Sequence, residues 1–258
     1  MKRLIVIGSA LVLFACSSTP PANENPPAQE VAPAPASTMS QETPWDSVLI
    51  KNLAGMIPYG SFPKHFTFDS IVELNHATHS SIYFIYPISG NKRIDQQVKQ
   101  FAKAEVAEFK ESLYSEVKQA NAITSDLQFI PENIYENNKI TSYRFFTSSY
   151  YEETAHPNSE YYSFIFDNST GKRLGFSDIF QLKGKADTVA MIALINEQIE
   201  GPEMTPLTTL KDIDFDLTAS GVSFNFGPYD IGAYAEGIRQ GTVPYEKMRR
   251  FLTNKYFP

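Results

Sequence analysis

The sequence predicts an α+β fold with mainly antiparallel sheet, one long amphipathic helix and two shorter helices. Three observations carry this expectation. Short runs alternating aromatic or β-branched residues with polar ones recur along the chain, which is the period of a half-buried strand. Clusters of Gly, Asn, Asp, Ser and Pro separate them, and these residues supply the backbone angles of tight turns. Only one long stretch repeats apolar residues at spacings of three and four, and strands outnumber helices. That ratio points to hairpin pairing rather than to helical crossovers.

In chain order, residues 66–74 (Phe-Thr-Phe-Asp-Ser-Ile-Val-Glu-Leu) and 81–86 (Ser-Ile-Tyr-Phe-Ile-Tyr) read as strands, the second ended by Pro87. The turn Gly90-Asn91 opens the long helix, in which Ile94, Val98, Phe101, Ala102, Val106, Phe109, Leu113 and Val117 form one apolar stripe. Lysines and glutamates fill the other face, so the stripe is expected to cover a sheet. A membrane-surface helix would carry a basic polar face, and this one mixes signs. Alternation returns over 126–135 and 140–151, and again over 161–166, which Asp167-Asn-Ser-Thr-Gly171 closes with a turn. A shorter helix is expected over 186–199, through Val189, Ile192, Ile195 and Ile199, with Pro202 and Pro206 after it. Residues 215–218 and 222–226 read as a hairpin about Ser220-Gly221. Pro244 is placed to start a last helix over 245–252.

The N-terminal 44 residues have a different composition. Lys2 and Arg3 precede an apolar run of about eleven residues, 4–14. That length suits a secretory signal and falls short of the roughly twenty needed to span a bilayer. Leu13-Phe14-Ala15-Cys16 resembles the lipobox of bacterial lipoproteins. The resemblance implies cleavage before Cys16 and lipid on its thiol. Cys16 is the one cysteine of the 258 residues, so no disulfide framework is available to it. Ser17 follows, and the absence of Asp at that position fits sorting to an outer membrane. The expected location is therefore the cell envelope, lipid-anchored, facing the periplasm. Residues 17–44 hold seven prolines and no aromatic residue. They bury too little apolar area to fold and form a tether reaching up to roughly 85 Å if extended.

From Trp45 onward 33 of 214 residues are aromatic, enough to build a real core. Without Lys2 and Arg3, 20 basic residues face 29 acidic ones, a net charge of −9. Nucleic acid and anionic lipid head groups are poor partners for such a surface, whereas a basic protein or cationic ligand is steered toward it.

Several segments resemble a known family. Thr170-Gly171-Lys172, Leu174-Gly-Phe-Ser-Asp-Ile-Phe180, Phe215-Asp-Leu-Thr218, Gly221-Val-Ser-Phe-Asn-Phe226, Tyr229-Asp-Ile-Gly-Ala-Tyr-Ala-Glu-Gly237 and Val243-Pro-Tyr245 stand in the order of the extracellular domain of anti-sigma-V factors. Tyr86-Pro87, the helix from Ile94 and Ala155-His156-Pro157 are similar to the companion region that precedes that domain. The resemblance covers about residues 65–255. After the signal (1–15) and the tether (16–44), it implies a companion region (45–158) and a C-terminal domain (159–258). In the anti-sigma-V factors this domain binds lysozyme, a basic muramidase. The segments of those factors that bind sigma and cross the membrane have no counterpart here, so that signalling route is not expected.

No catalytic constellation is legible. No Ser or Cys nucleophile stands with a base and an orienting acid, and Gly171-Lys172 lacks the flanking residues of a phosphate loop. His76 and His79 form the one close histidine pair, in a turn with only Glu73 nearby, so neither a metal nor another cofactor is expected. His156 sits in a loop at a position matching the family pattern, either as a structural imidazole or on a binding surface. Tyr229, Tyr234 and Gly237 lie in a glycine-rich segment after the turn Gly227-Pro228. Tyrosines on such a rim suit recognition of protein or glycan, and core packing with a satisfied hydroxyl is the alternative. The expected function is a non-enzymatic envelope module that binds a protein, lysozyme-like in character, or a peptidoglycan fragment. A hydrolase of cell-wall polysaccharide and a structural envelope lipoprotein are the alternatives.

Overall fold

The computed structural model describes residues 62–113, 124–199 and 205–257. Cys16, the tether, Trp45, Val117 and Pro202 lie outside the described residues.

Among the described residues nine strands form two sheets. The first has six strands in chain order: β1 (Thr67–Asn75), β2 (Ser80–Ile88), β3 (Ser125–Glu136), β4 (Ile140–Tyr150), β5 (Asn158–Asp167) and β6 (Arg173–Leu174). All neighbours are antiparallel except β2 and β3, which run parallel over Ser80–Phe84 and Ser125–Phe129. Helix α1 (Lys92–Ser112) lies in the connection between them, because parallel neighbours need a long crossover. The second sheet is antiparallel: β7 (Asp214–Leu217), β8 (Gly221–Phe226) and β9 (Arg239–Pro244). Shorter helices are α2 (Phe176–Ile179), α3 (Lys185–Asn196) and α4 (Tyr245–Met248). The expected α+β class with mainly antiparallel sheet is the observed one. The boundary expected between 158 and 159 falls at the first residue of β5, whose pairing with β4 begins at Asn158.

The long helix forms where its local chemistry places it. The Asn91 side chain accepts from the Arg93 N–H as N-cap, and Asp95 accepts from Ser89 and Gly90 in the first turn. Lys110 sits in the last turn, where a cation favours the dipole. Ile94, Val98, Ala102, Val106 and Phe109 are buried against Phe84, Phe129, Phe145 and Phe164 of the large sheet. The four larger side chains contribute about 1.5–3 kcal/mol each when fully buried. A second core holds Ile140 and Ile165 of that sheet with Phe215, Phe224 and Val243 of the small one, and with Met191, Ile195 and Phe251.

Several boundaries differ from expectation for physical reasons. β2 runs through Pro87 to Ile88 rather than stopping at Pro87. Beyond Phe84 β3 no longer pairs with it, so the missing N–H falls where β2 has a neighbour on one side only. The last helix is one turn, Tyr245–Met248, followed by a 3-10 turn Arg249–Phe251, and Pro244 is its N-cap rather than its first residue. The helix expected over 186–199 ends at Asn196. Strand β9 was not legible in the sequence, since Gly241 interrupts its pattern. The structure shows why glycine stands there: a Cβ would lie 3.0 Å from the Gln198 carbonyl oxygen.

Candidate functional site

Two loops converge at one end of the molecule's sheets. The β4–β5 connection, 151–157, carries His156, and the β8–β9 connection, 227–238, carries Tyr229, Tyr234 and Gly237. The His156 imidazole stacks on the Tyr234 ring at 3.6 Å between centroids and 26° between planes. The Tyr234 hydroxyl donates to the Pro157 carbonyl at 2.6 Å, fastening the two loops together. Tyr229 lies 5.7 Å from Tyr234 and is 68% exposed. Core packing is therefore excluded for Tyr229: its backbone is held at φ +74°, a conformation that costs a side-chain-bearing residue roughly 1 kcal/mol or more, and its ring is turned to water. Gly237 has a different part. At φ +69° it donates its N–H to the Tyr234 carbonyl and closes the 3-10 turn Tyr234–Glu236. Its contribution is backbone geometry rather than a contact surface.

Beside the aromatic cluster is a cleft of about 400 Å³ between the start of β5 and the approach to β7. Asn158, Ser159, Glu160 and Tyr161 line one wall, and Asp212, Ile213 and Asp214 line the other. Asp230 stands at the mouth, its carboxylate accepting the Gly227 N–H at 2.6 Å. Four carboxylates thus face one lysine, Lys211. Burial pushes the Glu160 carboxyl above the usual range, and the charges of Asp230 and Asp214 push the same way.

Asp214 links the cleft to a buried polar network between the sheets. Its Oδ2 accepts from Ser163 Oγ at 2.6 Å and from Asn225 Nδ2 at 3.0 Å. Asn225 Nδ2 also donates to Asp216 Oδ1 at 3.0 Å, and Asn133 Nδ2 donates to Asp216 Oδ2 at 2.6 Å. Arg144 Nη1 completes the set at 3.3 Å from Asp216 Oδ1, with its guanidinium over the Tyr161 ring. Burial pushes Asp216 upward against the pull of Arg144. The sequence drew no attention to Asp214, Asp216, Asn225 or Arg144. Their signal was alternation: Asp214 and Asp216 on β7, and Ser223 and Asn225 on β8, share one face. Such a face ordinarily reads as solvated.

Burial raises the Asp214 pKa to about 6, with Asp216 adding to the rise and the Ser163 and Asn225 hydrogen bonds opposing it. Between the unfolded value near 4 and this folded value, the native state binds the extra proton. Stability should therefore rise as pH falls from 7 to 5, by roughly 1 kcal/mol, and Asp214→Asn should flatten the rise. Urea midpoints measured across that range test this; a midpoint for the unsubstituted protein that falls on acidification to pH 5 contradicts it.

His76 and His79 lie in the β1–β2 turn, with His79 at φ +48°. They are far along the sheet order from β5 and do not join this site. Among the described residues no group of three or more His, Cys, Asp or Glu is arranged to hold a metal ion. Among the same residues no helix is long and apolar enough to cross a membrane.

The class defined by this geometry is a two-sheet α+β domain with a surface aromatic cluster beside an acid-lined cleft. Residues 177–246, which contain α3 and β7 to β9, match the model of DUF3298, a family described as a protein of unknown function. Two solved structures are similar in fold. A DUF3298 family protein from Pseudomonas aeruginosa PAO1 superposes with a TM-score of 0.51 at 11% identity, covering 75% of this chain and 97% of that one. A DUF3298 family member from Bacteroides fragilis NCTC 9343 gives 0.50 at 18% identity, covering 73% and 94%. No curated protein matches the sequence.

Proposed function

We propose that this protein is a lipid-anchored module of the cell envelope that binds a basic protein, with a cell-wall glycan as the second ligand class. The single observation that carries the reading is the exposed Tyr229 ring beside a cleft with four carboxylates. An aromatic platform supplies contact area at low entropy cost, and adjacent carboxylates receive lysine and arginine side chains. The lipobox-like Leu13 to Cys16, the proline-rich tether and the resemblance to the anti-sigma-V extracellular domain support the envelope setting and a lysozyme-like partner.

The test is retention of the full chain, in membranes, on immobilised lysozyme and on peptidoglycan fragments. Retention is expected to fall at least ten-fold in Tyr229→Ala with Asp230→Asn, while thermal unfolding stays nearly unchanged, since exposed substitutions usually cost within about 0.5 kcal/mol. Retention of neither ligand removes both. Labelling with palmitate, lost in Cys16→Ser, reads the anchor in the same preparation.

One observation favours a second reading, hydrolysis of cell-wall polysaccharide. A carboxyl raised to about 6 in a cleft, as at Asp214, has the protonation a general acid needs. Asp214 Oδ2 is however engaged by Ser163 and Asn225, which ties it to the inter-sheet network. Release of reducing ends from peptidoglycan, abolished in Asp214→Asn, would establish the hydrolase instead.

A further inference from the structure

Strand β5 is an open sheet edge over most of its length. β6 pairs with it only at Ile165 and Phe166, so among the described residues its one sheet neighbour from Asn158 to Phe164 is β4. Two hydrogen bonds give the direction of its main-chain groups. The Asp167 N–H donates to the Lys172 carbonyl at 2.9 Å, on the β6 side. Arg173 of β6 donates through Nη2 to the Ser163 carbonyl at 3.4 Å, on the same side. Alternate residues of a strand point their main-chain groups the same way. Ser159 and Tyr161 therefore aim N–H and C=O at the open edge.

The edge is blunted at one end only. At Ser163 the Arg173 guanidinium meets the carbonyl and the Asp214 carboxyl accepts the N–H, a side-chain capping that discourages pairing. At Ser159 and Tyr161 the acid-lined cleft lies alongside instead. Its wall includes four consecutive β5 residues, 158–161. A strand face would present every second residue, so a consecutive run marks the edge.

We propose that a short extended segment of a basic partner protein adds as a strand to β5 at Ser159 and Tyr161, its cationic side chains received by the cleft carboxylates. The proposal rests on the binding-module reading and specifies its partner and docking mode. Main-chain pairing supplies affinity in such strand addition, and the flanking side chains supply selection. Here selection is by charge. Glu160, Asp212, Asp214 and Asp230 outnumber Lys211 at the cleft, and Glu105 and Glu108 of α1 extend the negative field beyond Glu160. An acidic segment would be repelled, and a neutral one would leave the carboxylates without counter-charge.

The experiment titrates the full chain with a fluorescent hexapeptide of alternating lysine and valine, followed by anisotropy. Comparison peptides are the lysine-acetylated form and two analogues N-methylated at odd or at even residues. Methylation keeps the charge and removes strand pairing on one side. The parent should bind, and the acetylated peptide and one of the two methylated analogues should bind at least ten-fold more weakly. Ser159→Pro, which removes an edge N–H and leaves the pairing with β4 intact, should weaken the parent to a similar extent. If both methylated analogues bind like the parent, strand addition is overturned while a cation-binding cleft stands. If the parent itself does not bind, both readings fall. Should Ser159→Pro not fold, the methylated peptides decide alone.

Discussion

Asp216→Ala is expected to destabilise the protein by about 3–5 kcal/mol, the cost of breaking a buried ion pair from one side. Asp216 is fully buried and receives Arg144, Asn133 and Asn225 at once. Without it the Arg144 guanidinium keeps the Ser223 hydroxyl at 3.4 Å, the Tyr161 ring and Glu132, whose Oε2 is 3.7 Å from Nε, too long for a hydrogen bond. A charge left between two sheets with one distant counter-charge carries most of its desolvation cost uncompensated. Domains of this size have roughly 5–15 kcal/mol to lose, so the variant should melt well below the parent. The double variant Arg144→Met with Asp216→Ala should recover part of the loss, because removing both charges also removes the penalty. A loss under about 1 kcal/mol in urea unfolding of Asp216→Ala would show that water reaches the network, and would reject this account.

A loss of similar size, about 3–5 kcal/mol, is expected for Phe129→Ala in the other core. Phe129 stacks on Phe84 with centroids 4.3 Å apart and planes within 5°. Phe101 of α1 meets it edge-on at 5.6 Å, and Tyr162 at the same distance from β5. One ring therefore touches the helix and both arms of the sheet, and its removal opens a cavity that none of them closes alone. Phe129→Leu should cost much less, since it keeps most of the volume. Equal denaturation midpoints for the alanine and leucine variants would rule out the cavity as the source of the loss.

The parts of the fold legible in the sequence are those that local chemistry decides. Helix α1 was readable from the apolar stripe that starts at Ile94 and from the Gly90-Asn91 turn that opens it, both local features. The turn at 167–171 was readable because Asp167 accepts from Ser169 and Thr170 inside it, and because Gly171 takes φ +71°. The parallel pairing of β2 with β3 was not legible, since register between segments forty residues apart leaves no local trace. The second sheet was misleading in a particular way. Asp214, Asp216, Ser223 and Asn225 alternate with Phe215, Leu217, Val222 and Phe224 as a half-solvated hairpin would. The structure buries both faces, the apolar one in a core and the polar one against Ser142, Arg144 and Ser163.

The candidate site divides along the same line. In the sequence a position matching the family pattern singled out His156, and a glycine-rich segment after the turn Gly227-Pro228 singled out Tyr229, Tyr234 and Gly237. What the sequence left open was whether these rings lie together and in water. Tyr234 and Pro157 are 77 residues apart, and only the folded sheets bring the hydroxyl to the carbonyl. The cleft and its carboxylates were invisible for the same reason: Glu160 and Asp214 come from different sheets, and a charge acquires a perturbed environment only when packing removes its water.

By itself, then, the sequence determined the class of fold, the order of most of its elements, the acidic composition and the lipobox-like Cys16 that sets the expected location. These follow from periodicity, turn chemistry and charge, which act over a few residues or sum over all of them. The tertiary structure alone decided that β2 pairs with β3, which polar face is dry, and where an open edge, four carboxylates and three aromatic rings meet. Those are contacts between distant segments, and their energies exist only once the chain has closed the loops between them.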